Sequence, residues 1–266
     1  MGLDMYLSII DVNSISKEEP FTKEEIFDLA KHISLYRKSN QFDLFAIPDV
    51  KDWLNNKDVA NLTEAETSEL IELFRANEAI NNFSYYWGPH HLLRGLLNYE
   101  ESKIEKLHDY LRSYAEHMQQ VSQIENFDKK FNRYTQLCEF TYGNEINHYY
   151  WRKFNALHLW FVKHAQNGED ECMYHPVDLE TLKELRGTLE TIDALARNEH
   201  DAEEPSEQSK EIASSLLPTG SGFLFGSTNY DKWYFEDAKK ALKSISYAIK
   251  LIEENDSYIA IYRSSW

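Results

Sequence analysis

Between positions 104 and 121 the apolar residues fall at Ile104, Leu107, Leu111, Tyr114, Met118 and Val121, in alternating steps of three and four. Only an α-helix brings such positions onto one side, so this stretch reads as a long amphipathic helix whose seam needs a partner. The same period runs through most of the chain. Thr22 with Glu25 and Thr63 with Glu66 have the spacing of capping boxes, in which a hydroxyl and a carboxylate satisfy N–H groups at a helix start. Ile26, Leu29, Ile33 and Tyr36 follow the first on one face, and Leu70, Leu73, Phe74 and Ile80 follow the second. Phe127, Phe131, Tyr134, Leu137 and Phe140 carry the period on until Gly143 breaks it. Further helices are expected over 149–166, about 178–197 (Leu182, Leu185, Leu189 and Ile192 inward) and about 232–254 (Ala238, Leu242, Ile245, Ile249 and Ile252 inward).

Strand-like segments lie at the two ends: Met5-Tyr6-Leu7-Ser8-Ile9-Ile10 and Tyr258-Ile259-Ala260-Ile261-Tyr262, with Phe223-Leu224-Phe225 between glycines as a third. The expected fold class is α+β, mostly helical, with a small sheet near the chain ends backed by helices. The segment 198–210, polar, acidic and interrupted by Pro205, reads as a mobile linker.

The chain has 266 residues and a net charge of −17, unevenly spread: 14 acidic against 4 basic residues over 167–217. DNA and RNA backbones demand a basic patch that this sequence does not visibly supply, so direct nucleic-acid binding is not expected. The acidic stretch reads either as a solvated surface or as a face that steers the chain to a basic partner or occupies a basic groove in place of nucleic acid. The longest apolar runs, such as Ala156-Leu157-His158-Leu159-Trp160-Phe161-Val162, fall far short of the roughly 20 residues of a membrane span, and no signal segment opens the chain. No membrane association and a cytoplasmic location are therefore expected, with Cys138 and Cys172 as free thiols.

Three blocks stand apart: Met1-Gly2-Leu3-Asp4-Met5-Tyr6-Leu7; Tyr150-Trp151-Arg152-Lys153-x-Asn155-x-x-His158-x-Trp160-Phe161-Val162 with the Gly168-Glu169-Asp170 turn; and Leu217-Pro218-Thr219 running on to Ser227-Thr228-x-Tyr230-Asp231. In these the chain resembles an uncharacterised family of small phage and prophage proteins. In that family the first strand is followed soon by the tryptophan-rich helix, whereas here 13–147 intervenes. The resemblance implies a core unit of 1–12 plus 148–266 and an inserted helical module, 13–147, closing a bundle around the 104–121 seam. Alternatively those helices pack directly onto the sheet and enlarge one core. The family carries no reaction that transfers.

Glu105-x-x-His108 and Glu145-x-x-His148 have the ligand spacing of di-iron bundles, but chance supplies such pairs in a chain this rich in Glu, and no matching glutamates face them. His90-His91 beside Pro89 reads as a loop feature. The glycines of 220–226 lack the spacing of a phosphate-binding loop; they read as turn residues, with Asp231 capping the helix from Lys232. No catalytic residue, metal or cofactor is assigned.

On the expected 149–166 helix, Trp151, Asn155, His158 and Val162 share a face, with Arg152 at its edge. Asn155 and His158 need hydrogen-bond partners if buried, and Ser227, Tyr230 and Asp231 are the candidates. The arrangement reads either as a polar network joining helix and sheet or as a small-ligand pocket lined by Trp151, Arg152, Asn155, His158 and Tyr230, with Arg152 suited to an anionic group. Function follows the same fork. The first reading is a phage accessory protein that binds and inhibits or sequesters a host protein, in an anti-phage defence complex, through the helical insertion and acidic surface. The second is a binder of, or enzyme on, a nucleotide-like ligand at Arg152 and His158. The 104–121 seam also offers a route to a homo-oligomer.

Overall fold

The computed structural model describes residues 2–40, 42, 45, 47–76, 101–198, 204–222 and 224–266, and so leaves Ile80, His90-His91 and Phe223 outside the described residues. Among them run ten α-helices, α1 (Lys23–Ala30), α2 (Ile33–Asn40), α3 (Pro48–Leu54), α4 (Glu64–Ala76), α5 (Glu101–Val121), α6 (Phe127–Thr141), α7 (Asn155–Ala165), α8 (Leu179–Asn198), α9 (Glu207–Leu216) and α10 (Lys232–Glu254). Four strands, β1 (Asp4–Asp11), β2 (Asn147–Arg152), β3 (His175–Val177) and β4 (Tyr258–Ser265), form one antiparallel sheet in the order β2-β1-β4-β3. The protein is thus a mostly helical α+β fold, and its two terminal strands are the central pair of the sheet.

The chain divides into two compact units, Met1–Lys31 with Phe131–Trp266, and His32–Lys130. These bounds are narrower than the 13–147 expected for an insertion, because α1 and most of α6 group with the sheet. Arg133 on α6 explains part of this: its buried guanidinium donates twice to the Glu25 carboxylate at 2.7 Å, donates to the Glu19 and Pro20 carbonyls, and lies over the Phe21 ring. Such a bidentate, desolvated pair is a fixed geometric constraint, not an adjustable surface contact. It also occupies the Glu25 side chain, so the Thr22 hydroxyl accepts from Glu25 N without the reciprocal half of the box. At Thr63 and Glu66 the full reciprocal box forms.

In the sheet unit, Met5, Leu7, Ile9, Trp151, Ala260 and Tyr262 project from one side of the sheet into a core completed by Leu157 and Phe161 of α7, Leu182, Leu185, Leu189 and Ile192 of α8, and Ala238, Ala241, Ile245 and Ile249 of α10. Each fully buried Leu or Ile here is worth on the order of 2 kcal/mol of transfer free energy. Small alanines on α10 allow its close packing against α8. The opposite side of the sheet buries Ile10, Ile259 and Ile261, with α1 packed against β3. In the other unit, Phe42, Phe45, Val50, Leu54, Leu70, Ile71 and Phe74 enclose Leu107 and Leu111. The seam of α5 thus finds its partners inside its own unit, while Met118 remains exposed.

Three expected elements differ. The helix placed over 149–166 begins only at Asn155, because 147–152 is strand β2, with exposed residues alternating with half-buried or buried ones and each residue paired to β1. A run of His, Tyr, Tyr and Trp prefers the pleated conformation, and Lys153 at φ 59° makes the turn that separates strand from helix. Of the expected 223–225 strand, Leu224 and Phe225 are not extended strand: Leu224 (φ 61°) and Gly226 (φ 101°) are left-handed, and Phe225 N closes a turn onto Gly222 O. The expected 198–210 linker is shortened at its end, where Ser206 caps α9 from Glu207 onward; 199–203 lie outside the described residues. Strand β3 was not foreseen, since three residues carry no periodicity; its Pro176 is tolerated because β3 is a sheet edge.

Candidate functional site

The αL turn at Lys153 is where the chain's distinctive blocks meet. Lys153 N donates to Leu3 O of the opening block, and the loop 217–231 crosses the turn so closely that a Cβ on Gly226 would stand 2.5 Å from Lys153 O. Asn155, 2% exposed at the start of α7, fastens that loop: Nδ2 donates to Ser227 O (2.8 Å) and Phe225 O (3.3 Å), and Oδ1 accepts from Gly220 N (3.1 Å). A carboxamide offers both donors and an acceptor, so one side chain ties three backbone groups of an irregular segment that no ladder satisfies.

One turn on, His158 is fully buried. Its Nδ1 lies 2.8 Å from the Tyr262 hydroxyl of β4, and its Nε2 stands 3.1 Å from Asp170 Oδ2, an ion-pair distance without hydrogen-bond alignment. Burial pushes the Tyr262 hydroxyl well above its ordinary pKa, with the negative groups of Asp170 and Cys172 adding to the shift. Phe225 plugs against the His158 ring edge-on, centroids 5.3 Å apart.

The seven residues singled out from the sequence therefore separate. Trp151 is not on the α7 face at all; its buried side chain lies on the inner side of the sheet. Of Ser227, Tyr230 and Asp231, only Ser227 meets Asn155, through its backbone carbonyl, and none meets His158. Tyr230 instead serves Thr219, its hydroxyl accepting from Thr219 N at 2.9 Å. Asp231 caps α10, accepting from Trp233 N and Tyr234 N. His158 finds Tyr262, 104 positions on in β4, and Asp170 in the segment that follows α7.

What the turn does create is a cleft of about 290 Å³. It is lined by Arg152, Lys153 and Asn155, by Thr219, Gly226, Ser227 and Asn229 of the loop, and by Asp231, Trp233 and Asp237 at the start of α10. Arg152, Asn155, Ser227 and Asp231 share it; Trp151, His158 and Tyr230 do not line it. Trp233, missed in the sequence, also lines it and is 72% exposed. The signal for it was available: Trp233 stands beside the capping Asp231, at a position where an inward-facing helix stripe has not yet begun.

A second surface lies alongside. On β2 the outward positions hold His148, Tyr150 and Arg152, preceded by exposed Ile146 and, on the turn before the strand, Tyr142. Tyr6 of β1 packs its ring against both Tyr150 and His148. The Tyr150 hydroxyl donates to Asp4, which raises its pKa, and Asp4 is also 3.7 Å from Arg152.

The chain matches no family model, no curated protein and no solved structure. Of the two Glu-x-x-His pairs weighed from the sequence, His108 Nε2 meets Thr67 Oγ1 at 3.0 Å, and His148 is exposed on β2. No helix among the described residues is long and apolar enough to cross a membrane. Acidic positions of α8 and α9, among them Glu180, Glu184, Glu190, Glu207 and Glu211, are exposed.

Proposed function

We propose that this is an accessory protein of a phage or prophage that works by binding: it docks on a host protein, in an anti-phage defence complex, and inhibits or sequesters it. The observation that carries this reading is the aromatic margin of the sheet. Tyr142 (76% exposed), Ile146 and Tyr150 place large apolar area in solvent along an edge strand, and exposed aromatic side chains with a polar end are the anchors that protein interfaces favour. The exposed carboxylates of α8 and α9 supply long-range attraction for a basic partner, and the resemblance to phage and prophage proteins supplies the setting.

Tagged protein incubated with lysate of a bacterial host should retain one partner at a fixed molar ratio. Tyr142→Ser alone should weaken that capture while keeping the unfolding temperature, because its side chain is mainly in water; the Tyr142→Ser, Tyr150→Ser double variant should lose the partner and some stability, since Tyr150 also gives up its Tyr6 contact and its Asp4 hydrogen bond. A double variant that captures the partner undiminished would remove the aromatic margin as the contact, and a parent that captures none would remove the function.

A further inference from the structure

We propose that the open edge of β2 takes up an acidic extended segment of the partner protein as a fifth strand of the sheet. This rests on the reading that the chain docks a protein along its aromatic margin, and it names what the margin holds. Lys153 N donates to Leu3 O in continuation of the β1–β2 register, so Asn147, Tyr149 and Trp151 turn their N–H and C=O groups toward β1. Those of His148, Tyr150 and Arg152 point the other way, out of the sheet. His148 N is taken by the Asn147 side chain at 2.7 Å, whereas Tyr150 and Arg152 N–H meet no backbone carbonyl among the described residues. Donors and acceptors repeating at every second residue are the template for strand addition. The other edge of the same sheet is protected: β3 has three residues, contains Pro176, and has α1 packed against it. Strand β2 has six residues and no proline, and its one fixed charge, Arg152, leans to Asp4 of β1 at 3.7 Å.

The two sides of this edge set the chemistry of the added strand. On the outer side Tyr150 packs beside Tyr6, centroids 5.4 Å apart, and offers apolar surface. On the core side α10 packs against β2, and its Tyr247 is near enough to Tyr149 to add to the rise that burial gives the Tyr149 hydroxyl, to about 12. Lys243 and Lys250, four before and three after Tyr247, share that helix face and are exposed. From Ala238 to Ile252 the helix carries Lys239, Lys240, Lys243 and Lys250 and no carboxylate, and none lies between Glu145 and Glu169. In a chain of net charge −17, this edge and its neighbouring helix face are therefore a cationic exception. A segment alternating apolar and acidic residues sets one kind on Tyr150 and the other beside the lysines. Such a segment is local to the partner, and so is compatible with the overall basic character that the carboxylates of α8 and α9 attract. A second copy of β2 fits worse: paired antiparallel about Tyr150 it sets Arg152 against His148 and brings two lysine-bearing α10 faces to one side.

The test is titration calorimetry of the whole chain with a capped peptide of alternating Val and Glu, about as long as β2, and with its Val–Lys counterpart. Two further forms of the first are N-methylated at every Val or at every Glu. The Val–Glu peptide should saturate a single site, and the Val–Lys peptide should bind at least about tenfold more weakly. One N-methylated form should lose binding and the other keep it, because alternate N–H groups of a strand point to opposite sides. The Lys243→Glu, Lys250→Glu double variant should reverse the charge preference. Tyr150→Pro, which leaves the bonds of β2 to β1 in place, should bind the Val–Glu peptide at least about tenfold more weakly than Tyr150→Ala, which lacks the same ring. No saturation by the Val–Glu peptide, equal binding of the Val–Lys peptide, or tolerance of both N-methylated forms would each overturn the proposal. So would self-association of the chain that Tyr150→Pro abolishes, since that gives the edge to a second copy. A host partner captured by a chain that binds no peptide removes the added strand and keeps the docking, while peptide binding without a captured partner does the reverse.

Discussion

Replacing Asn155 with Ala removes three hydrogen bonds at one stroke, and the structure says how much each matters. The 2.8 Å bond to Ser227 O and the 3.1 Å bond from Gly220 N involve backbone groups near solvent, which water can partly recover, so each should cost about 0.5–1 kcal/mol. The 3.3 Å bond to Phe225 O is weaker, but Phe225 is buried and its carbonyl is left without that donor, at about 1 kcal/mol. Together the expected loss is roughly 2–3 kcal/mol. Asn155→Asp separates these contributions from simple loss of volume. It keeps the acceptor for Gly220 N but sets a carboxylate against two carbonyl oxygens, so at neutral pH it should be worse than Ala by about 1 kcal/mol or more. Its carboxyl pKa should then be raised in the folded protein, so stability returns as pH falls and is lost as pH rises through that raised value. Urea unfolding gives the loss, and amide exchange at Gly220 and Ser227 shows whether the loop opens before the unit does. An Ala variant within about 0.5 kcal/mol of the parent, with an equally stable Asp variant, would refute the view that this side chain fastens the loop.

Gly226→Ala combines a left-handed φ of 101° with a Cβ 2.5 Å from Lys153 O, whereas Gly143→Ala meets a φ of 89° and open space. The first should therefore cost about 2 kcal/mol or more and the second about 1 kcal/mol in thermal unfolding, and equal effects would show that the close approach imposes no constraint. Burial pushes the Cys138 thiol from 9.0 up to about 11, so its contribution is intact below pH 9 and is lost as pH rises toward 11, where the unfolded thiol is ionised and the folded one is not. Cys138→Ala should flatten the fall in stability over that window by on the order of 2 kcal/mol, and an unchanged pH profile would count against it. Association with the host partner should slow steeply as salt is raised while dissociation changes little, because screening acts on encounter; a salt-indifferent on-rate would reduce the α8–α9 carboxylates to a solubility feature.

The sequence by itself determined whatever rests on period and local chemistry. The faces of α1, α8 and α10 were legible because burial on a helix repeats every three to four residues, and Leu182, Leu185, Leu189 and Ile192 are all fully buried. The terminal strands were legible from β-branched apolar runs, and the Asp231 cap from its place before Lys232. Tertiary structure decided everything that depends on what a segment meets. Residues 149–152 open a helical pattern on paper, yet β1 offers them a ladder of hydrogen bonds, and Lys153 turns the chain before α7 can start. The partners of His158 come from a loop and from β4, and the Arg133–Glu25 pair joins segments 108 positions apart. Composition cannot encode such meetings, because they exist only when separate elements, each locally specified, are packed against one another. The cleft at Lys153 is of the same kind: three stretches of sequence supply its walls, and only the αL turn and the loop pinned by Asn155 bring them to one place.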